Sequence, residues 1–231
     1  MEEEPSESGI TPSGRLVRWL VGGLPLGLIV MGALSFVVWN YKKKEKPPVV
    51  LEFAAMLQRE VNQADFDRYV RLITEDIGGS SMSATEKADA VAGFVESSMG
   101  LDNMGYETRR KRTDEGGWVV YSELPAQGRA RSVLLVVAEG GGAESDKGKA
   151  GGVAALMSVA HALTGKPQKQ LVRFAVVSDD LSLLTLAHGV GRVIKVVQQP
   201  EENGWVFDAA EGDVVAKLKA LQNAVESAAG Q

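Results

Sequence analysis

Two uninterrupted apolar runs constrain this chain more than anything else in it. Ser132 to Ala138 (SVLLVVA) and Gln170 to Ser178 (QLVRFAVVS) lack the polar alternation of a strand with one wet face. Runs of this kind belong to strands buried on both faces, as happens where helices cover a largely parallel sheet. The neighbouring segments agree. A glycine-rich loop (EGGGAESDKGKAGG) leads into a helical pattern at Val153 to Leu163, a further helix is expected at Leu181 to Gly191, and a strand at Val193 to Val197. Strand and helix in alternation give an α/β fold with a mostly parallel sheet flanked by helices.

The elements before these runs are more local. Leu51 to Glu75 reads as a helix with Phe53, Leu57, Val61, Phe66, Tyr69, Val70 and Ile73 on its apolar side. Ser83 followed by Glu86 is a capping box that opens a second helix reaching Met99. Tyr106 to Arg112 alternates as a half-exposed strand, Gly116-Gly117 marks a hairpin turn, and Trp118 to Leu124 returns. Gly212 to Ala229 closes the sequence as an amphipathic helix, with Val215, Leu218, Leu221 and Val225 on one stripe.

Ahead of the α/β part lies a segment of different character. Trp19 to Trp39 (WLVGGLPLGLIVMGALSFVVW) carries no charge and matches the roughly 20 apolar residues that a helix needs to cross a bilayer. Trp19, Trp39 and Tyr41 stand where interfacial anchors belong, and Arg18 and Lys42 close the ends. The run is too long for a signal-peptide core, so a single-pass anchor is expected. This divides the chain into an acidic, disordered tail (1–15), a transmembrane helix (16–40), a Lys/Pro linker (41–50) and the α/β domain (51–231). Lys42, Lys43, Lys44 and Lys46 outweigh Arg15 and Arg18 and by the positive-inside rule would hold the domain in the cytoplasm.

Composition removes several functions. A net charge of −5 gives no reason to expect nucleic-acid binding, although Arg109, Arg110, Lys111 and Arg112 form a local basic cluster. The absence of cysteine excludes disulfides, thiolate metal sites and a cysteine nucleophile. Ser145, Ser178 and Ser182 lie near acidic residues, but no Gly-x-Ser-x-Gly elbow accompanies them. The loop Gly140 to Gly152 precedes a helix, yet it matches neither phosphate-binding fingerprint, and its acidic residues would repel phosphate. His161 and His188 both fall in expected helices, where a packing role outweighs a catalytic one.

The order IGGSSMSATEKADAVAGFVESSMGLDNMGYET, then LLVVAEGGGAESDKGKAGGVAALMSVAHAL, then VRFAVVSDD resembles that of the zinc-dependent aminopeptidases that use two co-catalytic metals. The likeness covers about Phe66 to Gly191. It implies the aminopeptidase-like fold and, position by position, a lost metal site. Glu139 stands where the family has its first histidine ligand, Gly141 where it has the aspartate that orients that histidine, and Gly148 where it has the bridging aspartate. Asp179 and Asp180 replace a Glu-Glu pair, Asp208 could stand for a later aspartate, and no histidine follows His188.

No metal is therefore expected. If one binds, Glu139, Asp179, Asp180 and Asp208 would hold it, and an all-oxygen set suits calcium or magnesium better than zinc. The resemblance implies a pseudoenzyme: a membrane-anchored domain that binds or scaffolds protein partners in a membrane complex or as a homo-oligomer. The alternative is an active metal-dependent hydrolase with a rearranged carboxylate site. Since the family is mostly exported, the resemblance also places the domain on the extracytoplasmic side, against the lysine count.

Overall fold

The computed structural model describes residues 30–36, 56–114, 116–127, 132–140, 147–166, 168–179, 182–183, 186, 189–197, 204–207 and 213–230. The chain divides into two units, Met1–Lys46 and Pro47–Gln231, with the division inside the Lys/Pro linker. In the first unit residues 30–36 are helical, and Val30, Met31, Leu34 and Phe36 are all exposed. The rest of the apolar segment, the acidic tail and the linker lie outside the described residues. Among the described residues no helix is long and apolar enough to cross a membrane.

The second unit opens with α1 (Gln63–Arg71), whose N-cap Asn62 accepts a hydrogen bond from the Asp65 amide. The expected helix from Leu51 to Glu75 is interrupted: Met56 and Leu57 are helical, residues 58–62 are not, and Asn62 satisfies a free amide where α1 begins, while residues 51–55 lie outside the described residues. The chain continues beyond the expected end as a π-helix, Leu72–Ile77. The capping box at Ser83 and Glu86 then opens α2 (Ala84–Met99) as read from the sequence, and both of its reciprocal hydrogen bonds are present.

Among the described residues six strands form one sheet in the order β1-β2-β4-β3-β5-β6, numbered along the chain. β1 (Thr108–Arg112) and β2 (Trp118–Leu124) form an antiparallel hairpin joined by residues 113–117, where Gly116 takes a positive φ of 85°. β2 also runs antiparallel to β4 (Leu171–Val177). β3 (Val133–Glu139), β5 (Val190–Val197) and β6 (Gly204–Val206) extend the sheet in parallel beyond β4. The sheet is thus mixed, parallel on the β4 to β6 side and antiparallel where the hairpin joins. A short turn can return a strand only antiparallel to its neighbour. The expected helix from Leu181 to Gly191 is also corrected: residues 182–183 are helical, but Gly189 turns with φ 76° and β5 begins at Val190.

The glycine-rich stretch holds the main surprise. Helix α3 (Lys147–Leu163) starts six residues earlier than Val153 and runs straight through Gly151 and Gly152. Packing explains these glycines. A Cβ on Gly151 would lie 2.5 Å from the Phe207 carbonyl oxygen, and one on Gly152 would lie 3.3 Å from that of Val196. From Val153 to Leu163 every residue of α3 is buried, as a helix must be when it is enclosed on all sides. It packs against α1, β3, β5 and α4 (Val214–Gly230).

Strand alternation divides the sheet into two faces. Leu134, Val136, Ala138, Val172, Phe174 and Val176 belong to the large core beneath α3. Leu135, Val137, Ala175, Val177, Val119 and Tyr121 form a smaller cluster with Leu183, Leu186 and Val190 on the other side. The chain therefore leaves β3 towards one face, through α3, and leaves the adjacent β4 towards the other. In open α/β sheets such a divergence opens a crevice at the carboxyl ends of the strands, where ligands bind.

Candidate functional site

The divergence brings together the residues that end β3 and β4, Glu139-Gly140 and Ser178-Asp179, beside Gly117-Trp118 at the start of the antiparallel β2. Glu139 and Asp179, two of the four carboxylates singled out in the sequence, thus stand at neighbouring strand ends. Asp180 and Asp208 lie outside the described residues, as do His188, Ser145 and Gly141.

Both carboxylates are engaged within the fold. Glu139 accepts from the Lys149 ammonium at 2.5 Å. Both groups are partly exposed, so this pair contributes only about 0–1 kcal/mol. Asp179 is held more tightly. Its Oδ1 accepts from the Ser182 amide at 2.7 Å, and its Oδ2 accepts from the Ser178 hydroxyl at 2.6 Å. The Ser178 oxygen in turn accepts from the Trp118 amide at 2.9 Å and lies 3.1 Å from the Ser182 hydroxyl. Ser182 is fully buried. Gly117 closes over this group: a Cβ there would lie 2.5 Å from Ser182 Oγ, 2.6 Å from Asp179 Oδ2 and 2.7 Å from Ser178 Oγ. Any larger residue would break the cluster.

This donor set does not fit a zinc pair. Zinc sites draw on imidazole and carboxylate ligands that project into an open space. Here each Asp179 oxygen faces an N–H or O–H donor, and a lysine sits on Glu139. Among the described residues no group of three or more His, Cys, Asp and Glu is placed to hold a metal ion. Among the described residues Glu139 and Asp179 do not supply the converging acceptor oxygens that calcium or magnesium requires either.

His161, the histidine within the described residues, lies at the far end of α3. Twelve residues separate it from Lys149, about 18 Å along the helix axis. Its Nε2–H donates to the Leu57 carbonyl at 2.9 Å. Burial holds the imidazole below its ordinary 6.5, with the Leu57 carbonyl acting in the opposite direction. It is a satisfied core histidine, and no serine-histidine pair forms among the described residues. Nearby, the Tyr106 hydroxyl donates to the Ala160 carbonyl at 2.7 Å, and burial raises its pKa far above the usual phenol value.

Sequence reasoning missed Gly117, Lys149 and Trp118. Trp118 is 3% exposed, and its indole Nε1 has no hydrogen-bond partner among the described residues. The usable signal was the Gly-Gly-Trp sequence itself, since a second glycine beyond the one the turn needs points to close approach by another part of the chain.

Neither a family profile nor a curated relative matches the sequence. Solved structures give distant likenesses. Glutaminyl cyclase from Fimbriiglobus ruber shares 15% identity over 52% of this chain and 46% of its own, with a TM-score of 0.37. A Zn-dependent exopeptidase from Parabacteroides distasonis shares 14% over 51% and 47%, with a TM-score of 0.38. LapB from Legionella pneumophila shares 10% over 63% and 45%, with a TM-score of 0.42. The chain spans less than half the length of each. Similarity at this level carries no argument about chemistry, which rests on the residues at the strand ends.

Proposed function

We propose that this chain is a membrane-held, non-hydrolytic α/β domain that binds or scaffolds protein partners. The observation that carries the reading is the occupation of the β3 and β4 ends. Both described carboxylates there are committed to internal donors, Lys149 for Glu139 and Ser178 with Ser182 for Asp179. A hydrolytic centre needs a base or ligand free to meet water and substrate. In this reading Trp19 to Trp39 is the single-pass anchor and the domain lies on the extracytoplasmic side. Its partners are other subunits of a membrane complex or further copies of the chain.

The test uses the full chain in neutral detergent. It is refilled with zinc, calcium or magnesium, desalted, analysed by elemental mass spectrometry and assayed on aminoacyl substrates. The reading expects no stoichiometric metal, no hydrolysis and an unchanged Tm in chelator. One or two retained ions per chain, with hydrolysis lost in Asp179→Asn, would overturn it in favour of a rearranged metallohydrolase.

A further inference from the structure

The basic cluster found in the sequence occupies a particular place in the fold. Arg109, Arg110, Lys111 and Arg112 make up four of the five residues of β1, which ends the sheet. Among the described residues no strand lies beyond it, so half of its backbone hydrogen-bonding groups point away from the sheet.

The register shows which half. The Thr113 amide donates to the Gly117 carbonyl at 2.9 Å, which makes those two residues a hydrogen-bonded pair. Hydrogen-bonded and non-bonded pairs alternate along an antiparallel ladder. Lys111 and Arg109 therefore bond to their partners Val119 and Tyr121, whereas Thr108, Arg110 and Arg112 turn their N–H and C=O groups outwards. The other side of β2 agrees, because the Ser178 amide donates to the Trp118 carbonyl, giving the even-numbered positions of β2 to β4.

The side chains around this free edge carry uncompensated charge. Arg110 and Arg112 share the single carboxylate of Asp89, each at 2.7 Å. Arg109 pairs with Glu107 at 3.0 Å in an exposed contact. Lys111 lies 5.6 Å above the Tyr121 ring and has no acidic partner among the described residues. Four cations thus face two carboxylates. Asp114 and Glu115 follow in the sequence, so the basic stretch is short and bounded.

We infer that the outer edge of β1 is a docking site for a short acidic segment of another protein, which adds to the sheet as an extended strand. Main-chain hydrogen bonds from Thr108, Arg110 and Arg112 would supply affinity, and the basic side chains would select the partner. A row of like charges on an edge ordinarily deters strand addition. The deterrent is selective, however. A second copy of β1 would set cation against cation, which is unfavourable, while an acidic strand would set carboxylates beside the basic side chains. This deepens the binding reading above and rests on it.

The test uses the full chain in neutral detergent at low salt, with a labelled peptide of alternating glutamate and valine, seven residues long, followed by fluorescence anisotropy. Its glutamine analogue should bind at least about tenfold more weakly, and added salt should weaken the parent. Amide exchange should slow at Thr108, Arg110 and Arg112 but not at Arg109 and Lys111. The double variant Arg109→Gln with Lys111→Gln removes both charges but leaves aliphatic stems on these exposed positions, so it should lose binding while keeping its Tm. Equal binding of the glutamine analogue, or of a peptide N-methylated at alternate amides, would overturn the proposal. So would capture by vesicles containing anionic lipid without capture of the peptide. None of these failures would restore metal or hydrolysis, so the non-hydrolytic reading is judged separately by its own assay.

Discussion

Leu134 and Leu135 point to opposite faces of the sheet and are both buried, but the two faces are held in different ways. On one, Leu134, Val136 and Phe174 lie under a fully enclosed helix that α1 and α4 support in turn. On the other, Leu135, Val137 and Tyr121 meet, among the described residues, only Leu183, Leu186 and Val190 from a short connection. Long cationic side chains help to roof this second face. The Arg173 guanidinium lies 5.3 Å from the Tyr121 ring centre and is bonded to Glu123, and Lys111 approaches the same ring. Stems of this kind cover apolar surface while their heads stay wet. Burial therefore does not report how rigidly a residue is held: one face is interlocked, and the other is draped.

Adjacent leucines on β3 give the sharpest way to break this comparison. Leu134 is 0% exposed and Leu135 is 1% exposed, and they point to opposite faces. Leu134→Ala should cost about 4 kcal/mol and Leu135→Ala about 2 kcal/mol, because a draped site can collapse onto the cavity and an interlocked one cannot. Urea unfolding followed by circular dichroism would measure both. Equal losses would show that the second face is packed as firmly as the first. A smaller effect is expected at the helical face's outer layer, where Ser83→Ala should cost about 1 kcal/mol by removing the α2 cap. The smallest concerns His161, on the interlocked side. Since its folded pKa lies below 6.5, the folded state takes up this proton less readily than the unfolded chain. Its contribution is complete above pH 6.5 and is lost as pH falls from there towards the depressed folded value. His161→Gln should flatten stability across that window, and a Tm series against pH would show it.

Much of the fold was legible. The apolar runs became β3 and β4, the capping box opened α2 at its expected residue, and Trp118 to Leu124 is β2. Those signals are local, since a cap or an apolar run identifies itself within a few residues. The failures involved distant partners. The glycines of α3 were read as a loop because the carbonyls they pack against come from β5 and the residue after β6. At the candidate site the sequence placed Glu139 and Asp179 at strand ends. It could not show that Lys149, Ser178 and Ser182 would occupy them, because those contacts depend on how the chain leaves each strand. Asp180 and Asp208 lie outside the described residues.

The contact between Gly151 and the Phe207 carbonyl has a consequence for how the sequence can vary. A glycine-rich stretch invites the view that its positions are interchangeable and permissive. Gly151 is the reverse, since even one methyl group there would collide with main chain rather than with a side chain that could swing aside. Exposed residues of β1 such as Arg112 could change widely without disturbing the core. Tolerance to substitution along this chain should therefore run opposite to apparent simplicity, with the plainest residues the least replaceable.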